Sequence, residues 1–264
     1  MKPAAVGFQC PDCVKQGNQS MRPIKAAYGG RARRVPYVTY TLIAINVLVL
    51  VATTSSGSSL LSGDTSNALF RKLALIPHGY VFTDADGSPA VQHGVADGEY
   101  YRLLTSTFLH FGVIHLLLNM YGLFLLGPPL EQAFGQVRFA VTYLLSGLGG
   151  AALSYALGYQ YETAAGASGA VFGLFAAFYV LGRKRNLDVS SITATIALNL
   201  FLSFTISGID VRGHIGGLLA GAALAWVIVY SPDTKQRSAY QAVGIALVAV
   251  VIVATVAART AQLS

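Results

Sequence analysis

Seven long stretches of the chain contain no Asp, Glu, Lys or Arg, and short polar segments separate them. They are residues 35–63, 103–130, 139–161, 163–182, 189–209, 213–232 and 238–258. Each is about 20 residues or longer, the length that a helix needs to cross a bilayer. The pattern therefore predicts seven transmembrane helices. The weakest boundary lies between the third and fourth stretches, where Glu162 alone interrupts the apolar run.

The composition supports a membrane protein. Hydrophobic residues make up 54% of the chain and charged residues 11%, whereas an ordinary soluble domain has about 25% charged residues. The mean hydropathy is +0.56. We therefore predict an all-α membrane protein that is surrounded by the lipid bilayer.

The basic residues are distributed unevenly along the chain. If the N-terminus is cytoplasmic, 13 Lys and Arg residues lie in inside segments and five in outside segments. This bias follows the positive-inside rule and explains the net charge of +7 better than a nucleic-acid partner does. The sequence predicts a multi-pass protein of the plasma membrane, with its N-terminus in the cytoplasm and its C-terminus outside.

The chain divides into three parts on this reading. Residues 1–34 form a cytoplasmic tail, residues 35–232 contain the first six spans, and residues 233–264 hold a linker and the seventh span. Residues 64–107 mix charged and apolar positions, which is typical of a structured loop that lies partly in the membrane interface.

The tail contains a Cys-x-x-Cys motif. Cys10 and Cys13 supply two soft ligands, but a structural zinc site needs four, and the tail has no further Cys or His. The motif is therefore half a zinc site, and metal binding by it stays an open alternative. A disulfide is not expected in a reducing cytoplasm.

Two pairs of glycines are spaced for close contact between helices. Gly217 and Gly221 follow His214 on the sixth span, and Gly169 and Gly173 follow Ser168 on the fourth. Small residues four apart let two helix backbones approach in lipid. Packing alone would explain these glycines, but the faces that they bring together carry a serine and a histidine.

Ser168 and His214 are candidates for nucleophile and general base. Ser168 stands near the external end of the fourth span and follows Gly166, which removes side-chain bulk from its approach. His214 stands near the external end of the sixth span, so both residues lie at similar depth. A neutral imidazole could take the serine proton. Asp210 invites a Ser-His-Asp triad, but we treat it as a solvated loop charge and predict a dyad.

The second span adds three polar residues, His110, His115 and Asn119. His115 and Asn119 are four residues apart and share one helical face. Both can donate hydrogen bonds to an oxyanion, beside the backbone N–H of Ser168. A zinc site is the alternative, but the run contains no acidic residue. We therefore expect no metal and no cofactor here.

Together these motifs resemble the rhomboid family of intramembrane serine proteases. The resemblance covers about half of the chain. It runs through these residues: Tyr101, Arg102, His110, His115, Asn119, Gly166, Ser168, Gly169, His214, Gly217 and Gly221.

The resemblance implies a bundle of six core helices plus one C-terminal helix, with a Ser168–His214 dyad. It implies that Asn119, His115 and the Ser168 amide stabilise the oxyanion. Structural roles follow for Arg102 and for Glu131, and residues 64–107 would form the family's first loop. Tyr101 departs from the family's frequent Trp, and Phe172 stands where a Tyr often stacks on the histidine.

The function implied is that of a serine endopeptidase that cleaves single-span membrane proteins in or near their transmembrane segments. One alternative is a catalytically silent rhomboid-like protein that binds client helices. Another is a small transporter, which would need charged residues within the spans, and the seven runs contain none.

Overall fold

The computed structural model describes residues 2–3, 8–13, 26–54, 65–83 and 87–263. Its helices are α1 (Tyr37–Thr53), α2 (Ala68–Leu73), α3 (Arg102–Thr105), α4 (Val113–Phe134), α5 (Gln136–Leu157), α6 (Ser168–Lys184), α7 (Ser190–Thr205), α8 (Val211–Tyr230) and α9 (Arg237–Leu263). A short 3-10 helix covers Ser106–Phe108. Strands β1 (Lys2–Pro3) and β2 (Phe8–Gln9) pair antiparallel, as do β3 (Tyr80–Thr83) and β4 (Pro89–Gln92).

Seven of these helices coincide with the seven charge-free runs, so the chain is a helical membrane bundle as predicted. Within the described residues, α4, α5, α8 and α9 are long and apolar enough to cross a bilayer. The other three helices are shorter than the runs that predicted them. Helices α1 and α7 are apolar but have only 17 and 16 residues, and α6 has 17. The charge-free runs also include irregular connections, which lengthen them beyond the helices.

The second predicted span is broken near its start. Residues 102–108 form two short helical turns, and α4 begins only after Gly112, whose φ is +102°. His110 therefore lies in an irregular connection and not on the same helix as His115 and Asn119, contrary to the prediction. Glycine adopts positive φ readily, so a turn can form here without any charged residue to mark it.

Helices α5, α6 and α8 form the centre of the bundle, and glycines make their contacts. A Cβ atom placed on Gly217 would overlap the carbonyl oxygen of Gly169, and one on Gly221 would overlap the backbone of Gly173. A Cβ on Gly150 would lie 2.6 Å from the Gly213 carbonyl oxygen. Backbones this close leave no room for side chains, so any larger residue must push the helices apart.

A buried carboxylate fixes helix α1 to helix α4. Glu131 is 3% exposed and accepts hydrogen bonds from the backbone N–H groups of Val38 and Thr39, at 3.1 and 2.9 Å. The Thr39 hydroxyl donates a third bond at 2.8 Å. These N–H groups belong to the first turn of α1, which has no carbonyl partner for them and where a negative charge is favourable. Glu131 therefore caps α1 from another helix.

The C-terminal helix α9 is attached to the bundle at both ends. At one end Gln241 accepts from Arg138 Nε at 2.6 Å and donates to the carbonyl of Tyr28 at 3.0 Å. At the other end the hydroxyls of Tyr155 and Thr260 lie 2.9 Å apart. Between these ends, α9 leaves a largely apolar and exposed face of aliphatic residues, as expected for a helix that faces lipid.

The segment between α1 and α4 is folded around Arg102. Its guanidinium, 1% exposed, donates from Nη1 to the carbonyls of Arg71 and Ala74 and from Nε to Glu99 Oε2 at 2.6 Å. Nearby, burial disfavours the charged form of Asp97, but backbone N–H bonds outweigh burial and hold the pKa of this carboxyl below its usual value. These bonds make the loop a structured unit.

Candidate active site

Ser168 is the first residue of helix α6, half-buried at the end of the connection from α5. Gly166, two residues earlier, has a φ of +146°, and a Cβ placed on it would lie 2.8 Å from His115 Cε1. Only glycine permits both this backbone conformation and this approach. Gly166 therefore brings His115 to the segment that carries Ser168.

His214 lies in the first turn of α8 and is 8% exposed. The Phe172 ring stacks on its imidazole, with 4.1 Å between ring centroids and 14° between planes. Phe172 is one helical turn beyond Ser168, and a Cβ placed on Gly169 would lie 3.1 Å from the carbonyl oxygen of Gly213. The close approach of α6 and α8 therefore places Ser168 and His214 as neighbours at the same end of the bundle.

No hydrogen bond joins Ser168 Oγ to the His214 ring among the described residues. Substrate-free active sites often have long or poorly aligned catalytic hydrogen bonds that shorten when substrate binds. Asp210 makes no bond to the ring either. Its Oδ1 lies 3.5 Å from Arg212 Nε, and it is partly buried rather than fully solvated as expected. The carboxylate thus pairs with an arginine and not with the histidine.

Sequence reasoning missed Ser203, which contacts the candidate base. Ser203 Oγ lies 2.7 Å from His214 Nδ1 and 2.6 Å from the carbonyl oxygen of Asn199. It is the buried residue of helix α7, at 5% exposure. A serine in an apolar helix usually satisfies itself one turn back, as it does here with Asn199. The sequence carries no signal that the same hydroxyl also reaches His214.

His115 faces the Ser168 segment with its Nε2 atom, because its Nδ1 atom is hydrogen-bonded to the backbone. Its Nδ1 accepts the backbone N–H of Phe111 at 3.3 Å, so in the neutral ring the proton sits on Nε2. A Cβ on Gly166 would lie 3.1 Å from this Nε2. His115 is therefore a hydrogen-bond donor that faces the Ser168 segment.

Asn119 lies one turn further along α4 and is 5% exposed. Its Nδ2 donates to the carbonyl of His115 at 2.8 Å. The amide carries two N–H groups, so one bond to its own helix leaves a second donor. His115 and Asn119 therefore lie on one face of α4, with a donor at each position.

A cavity of about 40 Å³ opens beside Ser168. Its wall combines polar groups of Ser106, Ser154 and Asp210 with the backbone of glycines, including Gly150 and Gly213. A space of this size can hold water molecules.

An ion-pair cluster ties the connection before Ser168 to the start of α8. Arg212 Nη2 donates to both carboxylate oxygens of Glu162, at 2.9 and 2.7 Å, and Nη1 donates to the carbonyl of Leu157 at 2.9 Å. A two-oxygen contact of this kind fixes the guanidinium in orientation as well as distance. The cluster therefore holds the segments that precede Ser168 and His214 in one arrangement.

Comparison with known proteins adds to this geometry. A sequence profile described as the rhomboid domain matches residues 97–231. RHOMBOID-like protein 6, mitochondrial, of Arabidopsis thaliana is 30% identical over an alignment of 228 residues that covers 78% of this chain and 73% of that protein. The chain belongs to the rhomboid family. It is therefore a multi-pass membrane protein with the family's helical bundle.

Other relatives match a shorter part of this rhomboid. Rhomboid protease GluP of Bacillus subtilis (strain 168) is 39% identical over 132 residues, 48% of this chain and 26% of that protein. RHOMBOID-like protein 2 of Arabidopsis thaliana is 38% identical over 146 residues, 53% of this chain and 45% of that protein. The chain thus spans less than half of the length of these two relatives.

His110 packs beside the site without bonding into it. It is 1% exposed, and its ring lies 5.1 Å from that of His115 in an edge contact. Neither ring nitrogen of His110 has a hydrogen-bond partner among the described residues. Its placement supports the orientation of His115 by packing.

The cysteines of this rhomboid's tail lie apart from the site. Cys10 and Cys13 are exposed and unpaired. Over the described ranges, no three or more His, Cys, Asp and Glu side chains are grouped to hold a metal ion. Residues 14–25 lie outside those ranges, so the half zinc site stays a prediction.

Proposed function

We propose that this rhomboid is an intramembrane serine endopeptidase, with Ser168 as nucleophile and His214 as general base. The observation that carries the proposal is the stack of Phe172 on His214. Since Phe172 follows Ser168 by one turn, this stack seats the imidazole over the helix that begins with the serine. A stacked, buried imidazole beside a half-exposed serine is suited to proton transfer.

The reaction would begin with local unwinding of a substrate's transmembrane helix, since a helical peptide bond is not accessible. Glycine or proline in the substrate would lower the cost of unwinding. Ser168 Oγ attacks the carbonyl carbon while His214 takes the hydroxyl proton, and the imidazolium then gives it to the leaving amine. Water, deprotonated by His214, hydrolyses the acyl-enzyme and restores Ser168.

The negative charge of the tetrahedral intermediate would be stabilised from the side opposite the base. The donors are His115 Nε2–H, the Asn119 amide and the backbone N–H of Ser168. In soluble proteases one such donor is worth about 10²- to 10³-fold in rate. The position of His115 beside Gly166 supports this role.

We propose a plasma-membrane location with the site at the external end. Segments around Tyr28, Arg138 and Gln241 contact one another at one end of the bundle. Of the Lys and Arg residues that the structure describes, most belong to the segments at this end. The Arg212–Glu162 cluster lies at the other end, beside Ser168. The positive-inside rule puts the first end in the cytoplasm.

The test is cleavage of a single-span substrate in liposomes by the native protein and by Ser168→Ala. The substrate should carry glycine or proline within its transmembrane segment. We expect cleavage by the native protein and none above background by Ser168→Ala. Ser191→Ala is a matched control, because Ser191 is exposed on α7. Cleavage that survives Ser168→Ala would contradict the mechanism.

A catalytically silent protein that binds client helices is the second candidate. Relatives that are named RHOMBOID-like proteins rather than proteases are the observation that favours it. It predicts that native protein and Ser168→Ala retain the same substrate helices in a pull-down and that neither cleaves them. Cleavage by the native protein alone would exclude this candidate.

A further inference from the structure

The hydroxyl of Ser203 has one proton and two close neighbours, and this fixes the direction of its hydrogen bonds. One neighbour is the carbonyl oxygen of Asn199, at 2.6 Å, and the other is Nδ1 of His214, at 2.7 Å. A carbonyl oxygen can only accept. If the proton pointed at Nδ1, two oxygens would face each other at 2.6 Å with no proton between them. The proton therefore points at Asn199.

The direction of this hydrogen bond determines which nitrogen of the His214 imidazole is protonated. With its proton committed to Asn199, Ser203 Oγ faces Nδ1 with a lone pair, so Nδ1 must carry a hydrogen. In the neutral ring Nε2 is then unprotonated. Which nitrogen of a histidine is free is set by the bond that the other nitrogen makes.

We propose that Ser203 is a positioning residue that holds His214 in the tautomer with a free Nε2, the form that can accept a proton from Ser168. This inference rests on the proposed function for its catalytic meaning. The contact between Ser203 and His214 does not depend on it. The same Oγ lone pair would also stabilise the imidazolium that forms when His214 takes the proton.

Of three described neighbours of the His214 ring, Ser203 is the one that can select the tautomer. Asp210 pairs with Arg212 and makes no bond to the ring. Phe172 fixes the ring plane by stacking but cannot choose between the nitrogens. Ser203 is the single buried side chain among the residues of α7, whose other side chains are exposed or half-exposed. The polar contact of α7 with the site is thus this one hydroxyl.

The first test is kinetic and compares Ser203→Ala with Ser203→Thr in liposomes. Hydrogen bonds to a charged partner contribute enough that we expect Ser203→Ala to lower kcat by about ten- to a hundredfold. KM should stay unchanged, because the Ser203 side chain is buried against His214. Ser203→Thr keeps the hydroxyl and should retain most of the activity. Thr193→Ala is the matched control, since Thr193 makes the same bond one turn back but is exposed.

The second test is spectroscopic and does not need proteolysis. The chain has five histidines, and the ¹⁵N signals of His214 can be assigned by their loss in His214→Gln. We expect a protonated Nδ1 and an unprotonated Nε2 in the native protein and in Ser203→Thr. Ser203→Ala should show a mixture of the two tautomers.

The outcomes separate the inference from the proposed function. A proton on Nε2 in the native protein, or a tautomer unchanged in Ser203→Ala, would overturn the inference whether or not the protein cleaves substrate. Equal loss of kcat in the Ala and Thr variants would overturn it too, since the hydroxyl would then not be the cause. A native protein with the expected tautomer but no cleavage would count against the proposed function alone.

Discussion

The two histidines near Ser168 differ in what their neighbours do to them. His115, on α4, accepts a backbone N–H at Nδ1 and so presents Nε2–H as a donor. His214, on α8, faces the Ser203 oxygen at Nδ1, and in the proposed tautomer it presents Nε2 as an acceptor. Two histidines thus present opposite hydrogen-bonding groups at Nε2, a donor in His115 and a proposed acceptor in His214. In each ring the contact made by Nδ1 determines which group is presented.

The two sides of the site are also built differently. On the side of His214, glycines bring the α6 and α8 backbones into contact, so the position of the base is tied to the packing of two helices. On the side of His115, the imidazole packs against the backbone of Gly166, which has no side chain to separate them. The proposed base, His214, is therefore held by helix packing, and the proposed oxyanion donor, His115, by the conformation of a connection.

The largest loss of cleavage activity is expected for substitution of His214, the proposed base. His214→Ala removes the proposed general base, and loss of such a residue costs about 10⁴-fold or more in rate. Cleavage of a single-span substrate in liposomes measures it. His93→Ala serves as the control, because His93 is exposed in the loop, and it should cleave at the native rate. A His214→Ala rate within tenfold of native would mean that the two histidines do not have the roles assigned here.

A smaller loss is expected on the side of the donor. His115→Ala removes one donor but leaves the Asn119 amide and the Ser168 N–H, so kcat should fall by about 10²- to 10³-fold. Fluorophosphonate inactivation rates of His115→Ala should fall as well, while its thermal unfolding stays close to native. If His115→Ala loses more activity than His214→Ala, the assignment of base and donor is reversed.

The smallest effect concerns the stack that holds the base. Phe172→Ala removes a ring contact of the kind worth about 0.5–1.5 kcal/mol, so we expect about a threefold to tenfold loss of kcat. Phe172→Tyr keeps the ring and should restore activity. Phe204→Ala is the control, because Phe204 is an exposed aromatic of α7. A Phe172→Ala protein with native kcat would show that glycine packing alone positions His214.

The sequence predicted the parts of this arrangement that leave a local pattern. Charge-free runs predicted the seven long helices, and glycines spaced four apart predicted that α6 and α8 meet beside Ser168 and His214. The break before α4 was not predictable from the same runs. A glycine turn at Gly112 needs no charged residue, so it leaves the hydropathy unchanged.

The contact of Ser203 with His214 could not be predicted from the sequence, for a different reason. A serine in an apolar helix is most simply explained by a bond to its own backbone, and Ser203 makes that bond. Its second contact depends on how α7 lies against α8, which no spacing along the chain encodes. The pairing of Asp210 with Arg212 is of the same kind, since it depends on how the connection folds.

The most direct test of the central claim, that His214 activates Ser168, is covalent labelling with a fluorophosphonate followed by peptide mass spectrometry. It needs no knowledge of the natural substrate. We predict one label per chain, on Ser168, with labelling lost in His214→Ala and retained in His93→Ala. Labelling on another residue, or labelling of Ser168 at the same rate in His214→Ala, would contradict the account.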